Sequence, residues 1–125
     1  MQNIFKIFQD LKNESPRNGD SFAIATLPTI KNHKLGISLN GQPMFFIKCD
    51  EKTKAKLLDT NLEFISVQFN RQCQLINNKG KIEEGIYTII SLKSDSDYLQ
   101  EYFLKIVFVL LKNLTEKPLL KDLKI

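Results

Sequence analysis

Asp50-Glu51-Lys52 stands just past the apolar run Met44-Phe45-Phe46-Ile47. An acid, an intervening residue and a lysine at that spacing, with a second acid upstream, are working parts of metal-dependent phosphodiester hydrolysis. Carboxylates hold a divalent ion that lowers the pKa of a bound water and steadies charge on the leaving group, while the lysine orients that water. Asp20 supplies an upstream acid, so a small nuclease using Asp20, Asp50, Glu51 and Lys52 is one reading. Against it, the triplet lies beyond the apolar run, where the pleat no longer fixes side-chain direction, and Asp20 belongs to a turn. The favoured reading is a strand end followed by a charged loop, with no catalytic residue and no metal ligand.

The other reactive side chains are isolated. His33 is the only histidine, which rules out a two-histidine metal site and predicts a solvated loop imidazole. Cys49 and Cys73 form no CxxC or Cys/His spacing and read as reduced thiols of a cytoplasmic protein. Cys49, beside Lys48 and Lys52, is expected to have a somewhat lowered pKa, but has no neighbouring histidine to serve as its base. No glycine pattern cradles a phosphate, and no cofactor is implied.

Charge placement says more. Of 18 basic and 14 acidic residues, Lys31, Lys34, Lys48, Lys52, Lys54 and Lys56 face only Asp50 and Glu51 between positions 30 and 56, leaving twelve of each sign elsewhere. That stretch carries the whole net charge of +4. Such lysines attract a polyanion through counterion release, and these six are the candidate DNA-backbone contacts. The plainer reading is that they keep loops and strand edges solvated. Phe45, Phe46, Phe64, Phe69 and Tyr87, with Lys48 and Arg71 nearby, offer a base-stacking platform as the alternative to a core.

These residues must be positioned by short elements. Ile4, Ile7, Phe8 and Leu11 predict a one-faced helix over residues 2–13, ended by Ser15-Pro16. Strands are predicted over 21–27, 35–39 and 43–48, the last two joined at Asn40-Gly41, where both residues accept positive φ. Residues 50–60 read as a polar loop with one helical turn at 54–58. A strand, or two joined at a bend, follows over 61–76, then a turn at Asn77 to Gly80. The next strand runs to about Lys93, with Gly85 a candidate bulge. Ser94 or Asp97 is placed to cap a final helix reaching about Leu114.

In that helix Leu99, Phe103, Ile106, Leu110 and Leu114 form one stripe, but Tyr102, Val107, Phe108, Val109 and Leu111 extend apolar surface nearly all round. Phe108, Val109 and Leu111 are therefore assigned to an interface with a protein partner, a further domain or a second copy. The longest apolar run, Ile106 to Leu111, is far short of the ~18 residues of a membrane span, so no membrane contact is expected. The fold class is α+β: an antiparallel sheet of five or six strands with an N-terminal helix and a long C-terminal helix packed on it. Residues 1–114 form one domain, and 115–125 a tail or the start of a linker.

The N-terminal helix, the hairpin "KLGISLNGQPMFFIK", the strand "LEFISVQF" and "GIYTIISLKSDSDYLQEYFLKIVFVLLKNL" together resemble the amino-terminal part of a bacterial PD-(D/E)XK-motif protein family associated with phage-defence and restriction gene clusters. In that family the nuclease motif lies in a carboxy-terminal portion without a counterpart here. The resemblance implies a noncatalytic binding or docking module of a nuclease-like protein, whose partner is its own C-terminal domain or another protein. A stand-alone interaction or inhibitor protein is the remaining alternative.

Overall fold

The computed structural model describes residues 3–14, 21–27 and 33–115. Their order is α1 (Ile4–Glu14), β1 (Phe22–Thr26), β2 (Lys34–Ile37), β3 (Pro43–Ile47), α2 (Glu51–Leu58), β4 (Ile65–Ile76), β5 (Ile82–Leu92), a 3-10 turn (Ser94–Leu99) and α3 (Gln100–Thr115). The fold is α+β, with an N-terminal helix, a long C-terminal helix and five strands. The sheet, however, closes on itself in the order β1-β2-β3-β5-β4. Four seams are antiparallel; the closing one, between β1 and β4, is parallel and has two residue pairs, Phe22 with Leu75 and Ala23 with Ile76.

Both hairpin turns share one construction. Gly41 N–H donates to Ser38 O at 3.0 Å with Gly41 at φ 87°, and Gly80 N–H donates to Asn77 O at 2.9 Å with Gly80 at φ 82°. A turn followed by one left-handed glycine is the three-residue hairpin loop, so Asn40 does not take the positive φ expected of it. The Asn77 side chain pins the second loop, its Oδ1 accepting from Lys79 and Lys81 N–H at 2.9 and 3.0 Å.

Period-two alternation divides the apolar side chains into two layers. Ile24, Met44, Phe46, Cys73, Leu75, Tyr87 and Ile89, with Phe22 against them, form a cluster containing no helix residue, which fills the barrel interior. Phe45, Ile47, Leu35, Ile37 and Ile90 point the other way and meet Ile4, Phe8 and Leu11 of α1, Leu57 of α2, and Phe103, Leu104, Val107, Phe108 and Leu111 of α3. β3 is therefore buried along its whole length. Each fully buried Phe or Ile contributes about 1.5–3 kcal/mol relative to exposure.

Several expectations are corrected. Phe108 and Leu111 face the barrel at 8% and 0% exposure, leaving only Val109 of the expected interface at the surface, at 49%. A helix apolar nearly all round does not reveal its inner face by periodicity, and the 3-10 turn that precedes it holds Leu99 out of the helical stripe. Lys93, with no side-chain cap bond, occupies the N-cap position of that turn in place of Ser94 or Asp97. The bulge lies on β4 between Gln68 and Arg71, with Asn70 at φ 55°, whereas Gly85 pairs regularly with Cys73. His33 is buried at 4% exposure just ahead of β2, not solvated. No helix among the described residues is long and apolar enough to cross a membrane.

Candidate nucleic-acid interface

At one end of the barrel, β3 runs out into Lys48, Cys49 and Asp50, and α2 begins. Residues 50–58 thus form more than the single helical turn expected. Asp50 is the N-cap: its backbone is extended (φ −85°, ψ 176°) and its carboxylate accepts from Thr53 N–H at 2.7 Å, satisfying an otherwise orphaned donor. That bond holds the Asp50 carboxyl below its ordinary pKa of 3.8. A carboxyl whose pKa is lower folded than unfolded stabilises the fold above its unfolded pKa, and the contribution fades as pH falls through the folded value. Asp50→Ala is thus expected to lower stability at pH 7, with the gap from wild type narrowing as pH drops below 3.8. Denaturant titrations across that range check it.

Glu51 and Lys52 stand exposed on the first turn of α2, so the acid-x-lysine triplet is a helix start whose leading acid is engaged by backbone. Asp20 lies outside the described residues. Among the described residues, no group of three or more His, Cys, Asp or Glu side chains lies close enough together to hold a metal ion.

Of the six lysines, Lys31 also lies outside the described residues. Lys34 opens β2 opposite Phe46, at the barrel end where Lys48 leaves β3, and Lys52, Lys54 and Lys56 follow on α2. Two of these ammonium groups are seated on aromatic rings. Lys48 Nζ sits 4.0 Å from the Tyr87 ring centroid and donates to Ile86 O at 3.3 Å. Lys54 Nζ sits 5.2 Å from the Phe69 ring centroid. Each such contact is worth about 0.5–1 kcal/mol at an exposed site and restrains a side chain that otherwise samples many rotamers. Gly85 keeps the first seat open, since a Cβ there would stand 3.1 Å from Lys48 Nζ and 3.2 Å from the Tyr87 ring.

Beside the Lys48 seat the β4 bulge presents Asn70. Lys48, Cys49, Asp50, Asn70, Ile86, Tyr87 and Thr88 line a cleft of about 460 Å³, within the ~300–1,000 Å³ of small-ligand sites. Inside it burial pushes the Cys49 thiol pKa up, with the Thr88 hydroxyl acting in the opposite sense. This corrects the lowered value expected from neighbouring lysines: lost hydration of a thiolate outweighs attraction to solvent-screened ammonium groups. Burial likewise raises Tyr87.

The aromatic platform does not form as a row of free faces. Phe45 and Phe46 are fully buried, Tyr87 is 5% exposed, and the Phe64 ring packs on Tyr102 with centroids 5.3 Å apart. Arg71 remains exposed, opposite Tyr87 in the ladder. Asn70, Thr88 and Ile86 carry no mark in the sequence that assigns them to a site. The one signal present is a polar Asn-Arg pair interrupting the alternation of β4, a place where asparagine tolerates the left-handed region.

Comparison with protein-family models, curated proteins and solved structures finds no match to this chain.

Proposed function

We propose that this chain is a noncatalytic binding module that contacts the nucleic-acid backbone through the lysine-weighted end of its barrel. The observation carrying this reading is the pair of ring-seated ammonium groups, Lys48 and Lys54. A polyanion gains most from cations already held in place, because less side-chain entropy is lost on binding. Lys34, Lys52 and Lys56 enlarge the positive field at the same end, and Lys31, outside the described residues, belongs to the same run of sequence. The resemblance to the amino-terminal part of the PD-(D/E)XK-motif family suits a module that brings DNA to a nuclease-like portion elsewhere.

Salt titration tests it. Affinity for a DNA duplex is expected to fall steeply with rising salt, and Lys48→Gln with Lys54→Gln to reduce the slope of log K against log salt by roughly 1.8, about 0.9 for each phosphate no longer neutralised. The DNA should survive incubation with magnesium or manganese. Absence of binding even at low ionic strength overturns the backbone contact, and cleavage overturns the noncatalytic assignment.

A second reading, protein docking, is favoured by one feature of the 3-10 turn and α3. Tyr98 in the 3-10 turn and Tyr102 and Val109 on α3 are 82%, 52% and 49% exposed and leave large apolar side chains at the surface. Tyrosines of this kind are enriched in protein interfaces, where a partner or a second copy would cover them.

A further inference from the structure

The cleft at the Lys48 seat contains more than a phosphate site requires. Alongside Lys48 it holds an amide side chain, Asn70, re-aimed by the bulge, and an aliphatic one, Ile86, which is 57% exposed on β5. A phosphate has no use for a bare isoleucine. A nucleobase does, because its flat face packs on apolar side chains and its edge offers donors and acceptors to an amide. Asp50 borders the same cleft, its carboxylate turned to Thr53 N–H, and disfavours a second phosphate close to the first.

We infer that the cleft takes one unpaired nucleotide, its phosphate near Lys48, its base face on Ile86 and its base edge toward Asn70. The inference rests on the nucleic-acid reading above and sharpens it to single-stranded substrate. Bases in a duplex are stacked on one another and hidden from such a cleft, whereas a single strand presents them to a protein surface. One base contact adds sequence-tolerant affinity without requiring readout of which base it is. A strand and a free mononucleotide share this chemistry.

Fluorescence anisotropy with a labelled oligothymidylate and a duplex of equal length separates the possibilities. Wild type is expected to bind the single strand about tenfold more tightly than the duplex, as one added base contact implies. Ile86→Glu, in the cleft, should weaken single-strand binding about tenfold, while Ile82→Glu, an equally acidic change at an exposed position of β5 outside the cleft, should stay within about twofold. Both positions are at the surface, and thermal melts confirm that each variant folds. Competition by thymidine monophosphate tells which form fills the cleft. Displacement at micromolar concentration assigns free nucleotide and resistance up to millimolar assigns a strand, and either result upholds the site.

Equal affinity for strand and duplex, or equal losses from the two glutamate variants, overturns the nucleotide site and leaves the backbone reading intact. Failure to bind either nucleic acid at low salt removes both.

Discussion

Phe103→Ala is expected to cost about 3–5 kcal/mol of folding stability, the range for removing a fully buried aromatic ring. Phe103 is completely buried between α3 and the barrel, its ring 5.6 Å from that of Phe45, which is itself inaccessible on β3. The contact joins α3 to β3, so truncation leaves a cavity that neither side can collapse into without moving backbone. Against a total stability of ~5–15 kcal/mol for a domain, that is enough to unfold a sizeable fraction of molecules near physiological temperature. Urea denaturation followed by circular dichroism measures it. Val109→Ala, further along the same helix on its exposed side, serves as the contrast and should stay within about 0.5 kcal/mol.

Gly36→Ala is the second large effect, and it acts by addition. A Cβ at Gly36 would drive into Cε1 of Phe46, stand 3.0 Å from Cδ1 of the same ring and 3.3 Å from Ala23 O. The ring cannot step aside easily. Phe46 is completely buried, with Phe22 at 5.4 Å on one side and the edge of Tyr87 at 6.2 Å on another. Overpacking of this kind costs about 1–3 kcal/mol, and the closed barrel keeps the penalty toward the upper end because neither β1 nor β3 is free to shift alone. A lowered denaturation midpoint with an unchanged slope is the expected outcome. A stability equal to wild type would mean that the interior has room that its packing does not suggest.

Those two positions also mark what can be read from residues alone. The hairpin joining β2 to β3 and the turn at Asn77 to Gly80 are local, encoded by a few consecutive side chains, and are legible as such. Barrel closure is not, because the partners Phe22 and Leu75 carry no mark of each other; each simply belongs to an apolar strand. α2 is partly hidden by its own first residues. Asp50 is a favoured N-cap and Glu51 a favoured first-turn acid, yet beside Lys52 they equally spell an acid-x-lysine triplet. Phe108 and Leu111 read as interface residues because a helix apolar on most sides shows no inner face until its neighbours are known.

At the candidate site the density of lysines between 30 and 56 is visible in the sequence, but their seating is not. Lys48 lies 38 residues from the carbonyl it binds, that of Ile86, and no pattern in the chain announces an ammonium over a distant ring. Cys49 shows the same limit for electrostatics: sequence supplies neighbouring charges, while desolvation, the larger influence on this thiol, depends on tertiary structure.

The two-rung parallel seam sets a timetable for synthesis. When β1 leaves the ribosome it finds β2 within a few residues, but its other neighbour is still untranslated; at ~5–20 residues per second, the roughly fifty residues to Leu75 and Ile76 take on the order of 3–10 seconds. Until then one flank of β1 has no strand beside it, and the share of the outer layer that α3 covers, Phe45 included, waits longer still. The nascent chain therefore spends its most adhesive interval before α3 exists, so that premature termination ahead of Phe103 would release a polypeptide whose barrel has only α1 and α2 to cover its outer layer.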